Sequence, residues 1–197
     1  MDIRDLDRRA GAVLGEVVMQ VRPEQLWFPT PCPDWTVRGL LRHIVSENEG
    51  FAAAALNGSA PVQTWNGGRL GDNPAGAYRR SNVGVADAFA DGGALDRLME
   101  VREFGSFPRR IALTFHHLNC VIHAWDLARA IDVSYEPPPA PPDHCLALMA
   151  ALRAGAVGPR GLSLVLTQVC AHSASRSLCS AGAADGRSTD GHPGSGS

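Results

Sequence analysis

Apolar residues recur at helical spacing along four stretches of the chain, and the first begins near the N-terminus. From about Asp5 to Val21 they lie three or four positions apart, as on the buried face of an amphipathic helix. These apolar residues are Leu6, Ala10, Val13, Leu14, Val17, Val18 and Val21. Pro23 is expected to end this first helix, because proline has no N–H to donate within a helix.

A second helix is predicted from Thr36 to about Asn57–Gly58. Thr36 can cap its start, since a threonine hydroxyl accepts a bond from a free backbone N–H. The apolar face that follows consists of Val37, Leu40, Leu41, Ile44, Val45 and Phe51. The segment before it, residues 28–34, carries three alternating prolines, which exclude a helix there.

Two further helices follow a loop over residues 58–73 that is rich in Gly, Asn and Pro. A weaker helix is predicted from Pro74 to Ala90, with proline suited to its first turn. The clearest helix runs from Pro108 to Ile131 and is apolar on nearly every side, which places it in the middle of a bundle. The stretch between these helices, Leu95 to Glu103, has no clear pattern.

The end of the chain changes character. A fifth, short helix is predicted from Asp143 to Ala154, after a proline-rich connection. The composition changes from Gly158 onward: residues 173–197 contain 12 Ser or Gly and one large apolar residue, Leu178. Such a segment buries too little apolar surface to offset its ordering entropy. We therefore expect an all-α fold, an up-down four-helix bundle with an additional short helix over residues 1–157, and a disordered tail over residues 158–197.

Composition narrows the classes of function. The formal net charge of the 197 residues is −2, and all 18 basic residues are Arg, so no basic field attracts nucleic acid or an anionic membrane. The charged N-terminus lacks the apolar core of a signal peptide, and no stretch approaches the roughly 18 apolar residues of a membrane span. These features predict a cytoplasmic protein, with no nucleic-acid or membrane partner, whose five cysteines are reduced.

A polar stripe runs along the otherwise apolar fourth helix. His123 follows Asn119 by one turn and His116 by two turns, so His116 and His123 point within roughly 20° of one direction and Asn119 lies on the same stripe. Buried polar groups need partners. His117 points away from the stripe and is expected at the surface or in an interface.

The second helix carries a matching pair, His43 and Glu47, one turn apart at the edge of its apolar face. If the second and fourth helices are neighbours, His43 and His123 converge in the interior, where helix bundles build metal sites. A hydrogen-bonded core network is the alternative for the same residues. Cys120 is expected to be an inert buried residue, and Cys32 to have a packing or turn role.

Two segments resemble one known family. They are TPCPDWTVRGLLRHI, residues 30–44, and VIHAWDLARA, residues 121–130. Together they are similar to the paired signatures of the DinB-like, mycothiol-dependent maleylpyruvate isomerase N-terminal superfamily, in its short actinobacterial members. The resemblance covers about residues 5–157.

That resemblance implies a DinB-like bundle with a divalent metal, zinc or nickel, held by His43 and His123. The family's carboxylate ligand lies four residues before the second histidine, where this chain has Asn119, a weaker ligand. His116 or Glu47 are the alternative ligands, and Asp126 and Glu47 could orient the imidazoles. After Gly158 the chain no longer resembles the family. A frame change in the gene is one hypothesis for this tail, and natural divergence of the sequence is the other.

Three functions stay open at this point. The resemblance implies a metal- and thiol-dependent transferase or isomerase, using a low-molecular-weight thiol such as mycothiol against an electrophilic substrate. The alternatives are a non-catalytic metal- or ligand-binding protein, with a homodimer as an open possibility, and a degenerate bundle without metal. Asn119 favours the two alternatives over the enzyme.

Overall fold

The computed structural model describes residues 2–32, 35–91 and 94–138. The predicted fifth helix from Asp143 to Ala154 and the predicted tail from residue 158 lie outside these described residues.

The described part of the chain forms five helices and one β-hairpin. They are α1 (Ile3–Val18), α2 (Val37–Asn57), α3 (Val62–Asn66), α4 (Pro74–Ala88), β1 (Leu98–Val101), β2 (Gly105–Pro108) and α5 (Arg109–Ile131). The all-α fold class is confirmed, with a small two-stranded sheet added to it. None of these helices is long and apolar enough to cross a bilayer.

The ends of α2 show how local sequence sets an element. The Thr36 hydroxyl accepts a hydrogen bond from the Gly39 N–H at 3.2 Å, which caps the first turn. At the other end Gly58 has φ 84°, a left-handed conformation that glycine adopts without strain. The predicted boundaries of this helix are therefore confirmed at both ends.

The four long helices close into a bundle. Helix α1 packs against α5 and α4, and α2 packs against α4 and α5, so the order around the bundle is α1, α5, α2, α4. Helices α1 and α2 thus follow one another in sequence but lie across the bundle. This arrangement puts α5 directly beside α2, the contact on which the candidate site depends.

Two small elements were not expected. Helix α3 lies in the predicted loop, and it packs because Gly50 of α2 has no side chain: a Cβ there would lie 2.1 Å from the Trp65 ring. Strands β1 and β2 pair antiparallel, with Met99 opposite Phe107. Four-residue strands give too short an alternation to predict, which is why the sequence shows no clear pattern over this stretch.

Candidate metal centre

His43 of α2 and His123 of α5 face one another inside the bundle. Their ring centroids lie 5.1 Å apart and the ring planes are perpendicular. His123 is 1% exposed, whereas His43 keeps 23% of its side chain accessible. The pair therefore lies at the edge of the core, within reach of a small molecule.

Asp126 holds the His123 ring in place. Its Oδ2 atom lies 3.1 Å from Nδ1 of His123, on the next turn of α5. A carboxylate at this distance accepts the Nδ1 hydrogen, so the lone pair of His123 is on Nε2. The same pairing orients histidine ligands in many metal sites.

His43 is held as a neutral ring. Burial, the neighbouring His123 and the positive charge of Arg102 lower the pKa of His43 to about 3, from an ordinary value of 6.5. The indole of Trp35 covers it, with ring centroids 4.4 Å apart. A neutral imidazole keeps one nitrogen lone pair, which is what a metal or a proton donor needs.

Glu47 lies beside His43 but is bound to Arg102. Its Oε1 atom is 3.8 Å from Nδ1 of His43, and the same oxygen accepts from Nε of Arg102 at 2.9 Å and from the Arg102 Nη2 group. Burial raises the pKa of Glu47, and the charge of Arg102 opposes that rise. Arg102 also donates to the carbonyl oxygen of Trp65 at 2.8 Å.

Asn119 has an unpartnered amide. Its Nδ2 atom is buried, and no hydrogen-bond acceptor among the described residues reaches it. The residue lies one turn before His123 on α5. An unsatisfied buried donor costs roughly 1–3 kcal/mol, so this position is unfavourable as it stands.

His116 belongs to a second polar cluster, two turns from His123. Ser81 donates its hydroxyl hydrogen to the carbonyl oxygen of Tyr78, so Ser81 must accept from Nδ2 of Asn48, at 2.9 Å. That turns Oδ1 of Asn48 toward Nε2 of His116, 3.0 Å away, while Oδ1 of Asp7 lies 2.7 Å from Nδ1. Both ring nitrogens of His116 therefore carry hydrogens.

The charge on His116 follows from this chain of bonds. Burial opposes a charged ring, but the Asp7 carboxylate more than offsets it and raises the pKa of His116 well above its ordinary value. Asp7, His116 and Cys120 do place ligand atoms within 4.8 Å of one another. Because His116 offers no lone pair, we assign these three residues to a structural network that ties α1 to α5.

Cys32 contacts the centre through Asp126. Its thiol donates to Oδ2 of Asp126 at 3.5 Å, the same oxygen that His123 uses. Burial, reinforced by Asp126, raises the pKa of Cys32 to about 12. The thiol thus stays protonated near neutral pH, which excludes Cys32 as a ready thiolate nucleophile.

Comparison with known proteins then settles the family. The family model of the mycothiol maleylpyruvate isomerase N-terminal domain matches residues 8–128. This chain belongs to that family. The two segments that carry the resemblance meet in this family member, since Trp35 of the first and His123 of the second have ring centroids 6.0 Å apart.

Relatives of this family member include proteins of unknown role. The uncharacterized proteins MT0763 and Rv0738, from two strains of Mycobacterium tuberculosis, are each 28% identical over 160 residues, which is 81% of this chain and 82% of theirs. A solved structure, that of a histidine-to-alanine mutant of mycothiol-dependent maleylpyruvate isomerase, matches with a TM-score of 0.57 at 16% identity. It covers 76% of this chain and 67% of that one. That likeness shows the fold.

The donor set fits a divalent ion in part. His43 and His123 each offer a lone pair, and two imidazoles on one tetrahedral ion with Zn–N bonds of about 2.0–2.1 Å have ring centres roughly 5 Å apart. Asn119 offers only its neutral Oδ1 oxygen to an ion, because its buried atom without a partner, Nδ2, is a hydrogen-bond donor. No carboxylate comes from α5 at that position.

The structure brings some of the predicted residues together at the candidate centre, places His116 elsewhere, and shows that His117 is buried. His43, His123 and Glu47 come together, while His116 faces Asp7 and Asn48 instead. His117 was predicted at the surface or in an interface, and the surface position is wrong: the residue is 2% exposed, because α5 is covered on several sides.

The sequence analysis did not identify three residues that bind Glu47 or His116: Arg102, Asp7 and Asn48. Asp7 and Asn48 each follow a helical apolar pattern into the core, and a polar residue on such a face is a signal that could have found them. Arg102 lies in the hairpin turn, and no local pattern points to its role.

Proposed function

We propose that this protein binds a divalent metal ion, zinc or nickel, between His43 and His123. The observation that carries the proposal is the His123 ring, held by Asp126 with its Nε2 lone pair available, 5.1 Å from the neutral ring of His43. Asn119 and Glu47 are the candidates for a third ligand. Zinc is commonly bound by three protein ligands with an open fourth position in catalytic sites.

We further propose that the bound ion serves a thiol-dependent transferase or isomerase reaction. His43 and His123 would hold the ion, and the bound ion would supply a positive charge that lowers the pKa of a nearby thiol. Family membership supports a mycothiol-type thiol as that partner, since the solved relative is described as mycothiol-dependent. In this chain Asp126 would orient His123, and Trp35 would cover His43 and limit access of water.

The test has two stages. Zinc titration by calorimetry, on protein purified without a His-tag, should show one site in the wild type that His123→Ala removes. His117→Gln, on the same helix but away from the centre, is the matched control and should leave zinc affinity unchanged. Equal zinc binding by wild type and His123→Ala would contradict the metal site.

The second stage asks for the reaction. The zinc-loaded protein is mixed with mycothiol and an electrophile such as maleylpyruvate or a chloro-nitroaromatic compound. Conjugation or isomerisation that disappears in His123→Ala supports the enzyme. Zinc binding without either reaction favours the alternative, a non-catalytic metal- or ligand-binding protein.

Two observations support the alternative of a non-catalytic metal- or ligand-binding protein. Asn119 replaces the charged ligand that the resemblance implies, and Arg102 holds the nearby carboxylate of Glu47. A degenerate bundle without metal would bind zinc neither as the wild type nor as His123→Ala. The cytoplasmic location and the homodimer of the sequence analysis stay predictions.

A further inference from the structure

Glu47 supplies a carboxylate next to the proposed ion from a different helix than the resemblance implies. It follows His43 by one turn on α2 and is 7% exposed. Its Oε1 atom lies 3.8 Å from Nδ1 of His43. Two ligand atoms on one tetrahedral zinc are about 3.3 Å apart, for bonds of about 2.0–2.1 Å. The spacing of these two atoms thus exceeds the spacing on one ion by about 0.5 Å.

Arg102 occupies that carboxylate in the structure. Both its Nε and Nη2 groups donate to Oε1 of Glu47, the oxygen nearest His43. The guanidinium lies over the Trp65 ring, 5.3 Å from its centroid. An ion that recruits Oε1 must therefore compete with Arg102 for the same atom.

The backbone at Arg102 is unusual for its residue type. Its φ is 46°, in the left-handed region that residues other than Gly, Asn and Asp rarely adopt. A strained backbone persists where the surrounding contacts over-determine it, and such positions cluster at functional sites. Here the strain aims the Arg102 side chain from the β1–β2 turn at Glu47.

Charge explains why a cation lies there. A buried carboxylate without a partner is costly, and Arg102 neutralises it. A divalent ion between His43 and His123 would bring two positive charges to the same place. With the ion bound, the positive charge of the partly buried Arg102 at Glu47 would be in excess and repelled.

We infer that Glu47 is the third protein ligand of the metal ion, and that Arg102 is a resident cation which holds this carboxylate until the ion displaces it. This inference rests on the proposed function. It implies a modest zinc affinity in the wild type, because part of the binding free energy releases Arg102 from Glu47.

The experiment is a zinc titration by calorimetry on four full-length variants. We expect Glu47→Gln to weaken zinc binding at least tenfold and Arg102→Gln to strengthen it at least tenfold, on the scale of roughly 10- to 100-fold for groups around a metal. The control is Arg110→Gln, an exposed arginine of α5 paired with Asp96, which should leave zinc affinity unchanged.

The variant Glu47→Gln leaves the partly buried Arg102 without its carboxylate partner, so loss of zinc binding could reflect misfolding. The double variant of Glu47→Gln with Arg102→Gln removes both charges and separates the two causes. If Glu47 is a ligand, the gain from Arg102→Gln disappears in the double variant. A gain that survives without Glu47 would overturn the inference.

The outcomes also separate this inference from the proposed function. Zinc binding that His123→Ala abolishes, but that Glu47→Gln and Arg102→Gln change less than twofold, would overturn the role of Glu47 and leave the metal site standing. Absence of zinc binding in the wild type and in Arg102→Gln alike would overturn both.

Discussion

His123 and Asp126 are paired on one face of α5, with Nδ1 of the histidine 3.1 Å from Oδ2 of the carboxylate. Asp126 is 4% exposed, so its charge is poorly screened and its hold on the ring is strong. This pair decides which nitrogen of His123 is available to a ligand. The candidate centre therefore depends on a residue that need not touch the ligand itself.

Asp126→Asn should weaken zinc binding without unfolding the protein. The amide keeps the size of the side chain but loses the charge that holds and orients the His123 ring. We expect a loss of roughly 10- to 100-fold in zinc affinity, the range for partners that orient metal ligands. Titration calorimetry measures it, with circular dichroism to check folding. An unchanged affinity would mean that Asp126 acts only in packing.

Cys32 should alkylate slowly and with an alkaline pH dependence. Burial and the Asp126 charge raise its pKa to about 12 from 9.0, so at pH 8 its thiolate fraction is far below that of an ordinary thiol. We expect iodoacetamide to react at Cys32 at least about tenfold more slowly than at the same cysteine in the denatured chain. Mass spectrometry of the peptide that contains Cys32 gives both rates.

The raised pKa of Cys32 also makes the free energy of unfolding depend on pH. Because the folded pKa of Cys32 is raised, its contribution to stability is complete below about pH 9 and declines as the pH rises toward 12. Asp126→Asn removes the negative charge that raises the pKa of Cys32 and should speed alkylation at pH 8. If the rate falls or stays the same, the contact between Cys32 and Asp126 has no part in the shift.

Asn119→Glu should raise zinc affinity by about tenfold, since it restores a charged ligand one turn before His123. Asn119→Gln, equal in size but neutral, is the control and should give no gain. Zinc titration and thermal melts are run on both variants. A lowered melting temperature with unchanged affinity for Asn119→Glu would instead show that Asn119 belongs to a structural polar core.

Asp7→Asn should destabilise the fold far more than a surface substitution. It leaves the buried charge of His116 without its partner, and breaking such a pair costs about 3–5 kcal/mol. Urea unfolding at pH 7 measures the free energy of unfolding. His116→Gln together with Asp7→Asn removes both charges and should recover part of that loss. A cost below about 1 kcal/mol for Asp7→Asn would rule out a charged His116.

The pH dependence of this pair has a defined sign. Since the folded pKa of His116 is raised above the unfolded value of 6.5, its stabilisation is complete below pH 6.5 and is lost as the pH rises through the folded pKa. His43 behaves in the opposite way. Its folded pKa of about 3 means that its contribution is complete above pH 6.5 and is lost as the pH falls toward 3.

Comparison of His116→Gln and His43→Gln with the wild type should separate these two windows. The difference in unfolding free energy between wild type and His116→Gln should vary above pH 6.5, and that for His43→Gln should vary below it. Parallel curves for either variant would contradict the corresponding shift.

Local sequence determined the long helices because their ends and faces depend on neighbouring residues. Thr36 and Gly58 bound α2 through a cap and a left-handed residue, both of which act within one turn. Helix α5 was recognisable as covered on several sides because it is apolar on nearly every side. The 3.6-residue period also placed His116, Asn119 and His123 on one stripe.

Only the tertiary structure decided what each position on that stripe contacts. A stripe two turns long spans about 10 Å, so its two ends meet different neighbours: His43 of α2 at one end, and Asp7 of α1 at the other. The periodicity of α5 carries no information about which helices lie beside it. His116 was therefore a metal-ligand candidate by sequence and is a buried ion-pair partner in the fold.

The β-hairpin likewise depends on tertiary contacts that local periodicity does not predict. Residues 98–108 form two four-residue strands that exist because they pair with each other and lie on α2 and α5, and Glu100 bonds to the carbonyl oxygen of Gly58. Neither interaction is encoded in a local repeat. The sequence by itself thus determined the helical fold and the candidate histidines. The packing order of the bundle decided that Arg102 reaches Glu47, because that contact joins residues 55 positions apart.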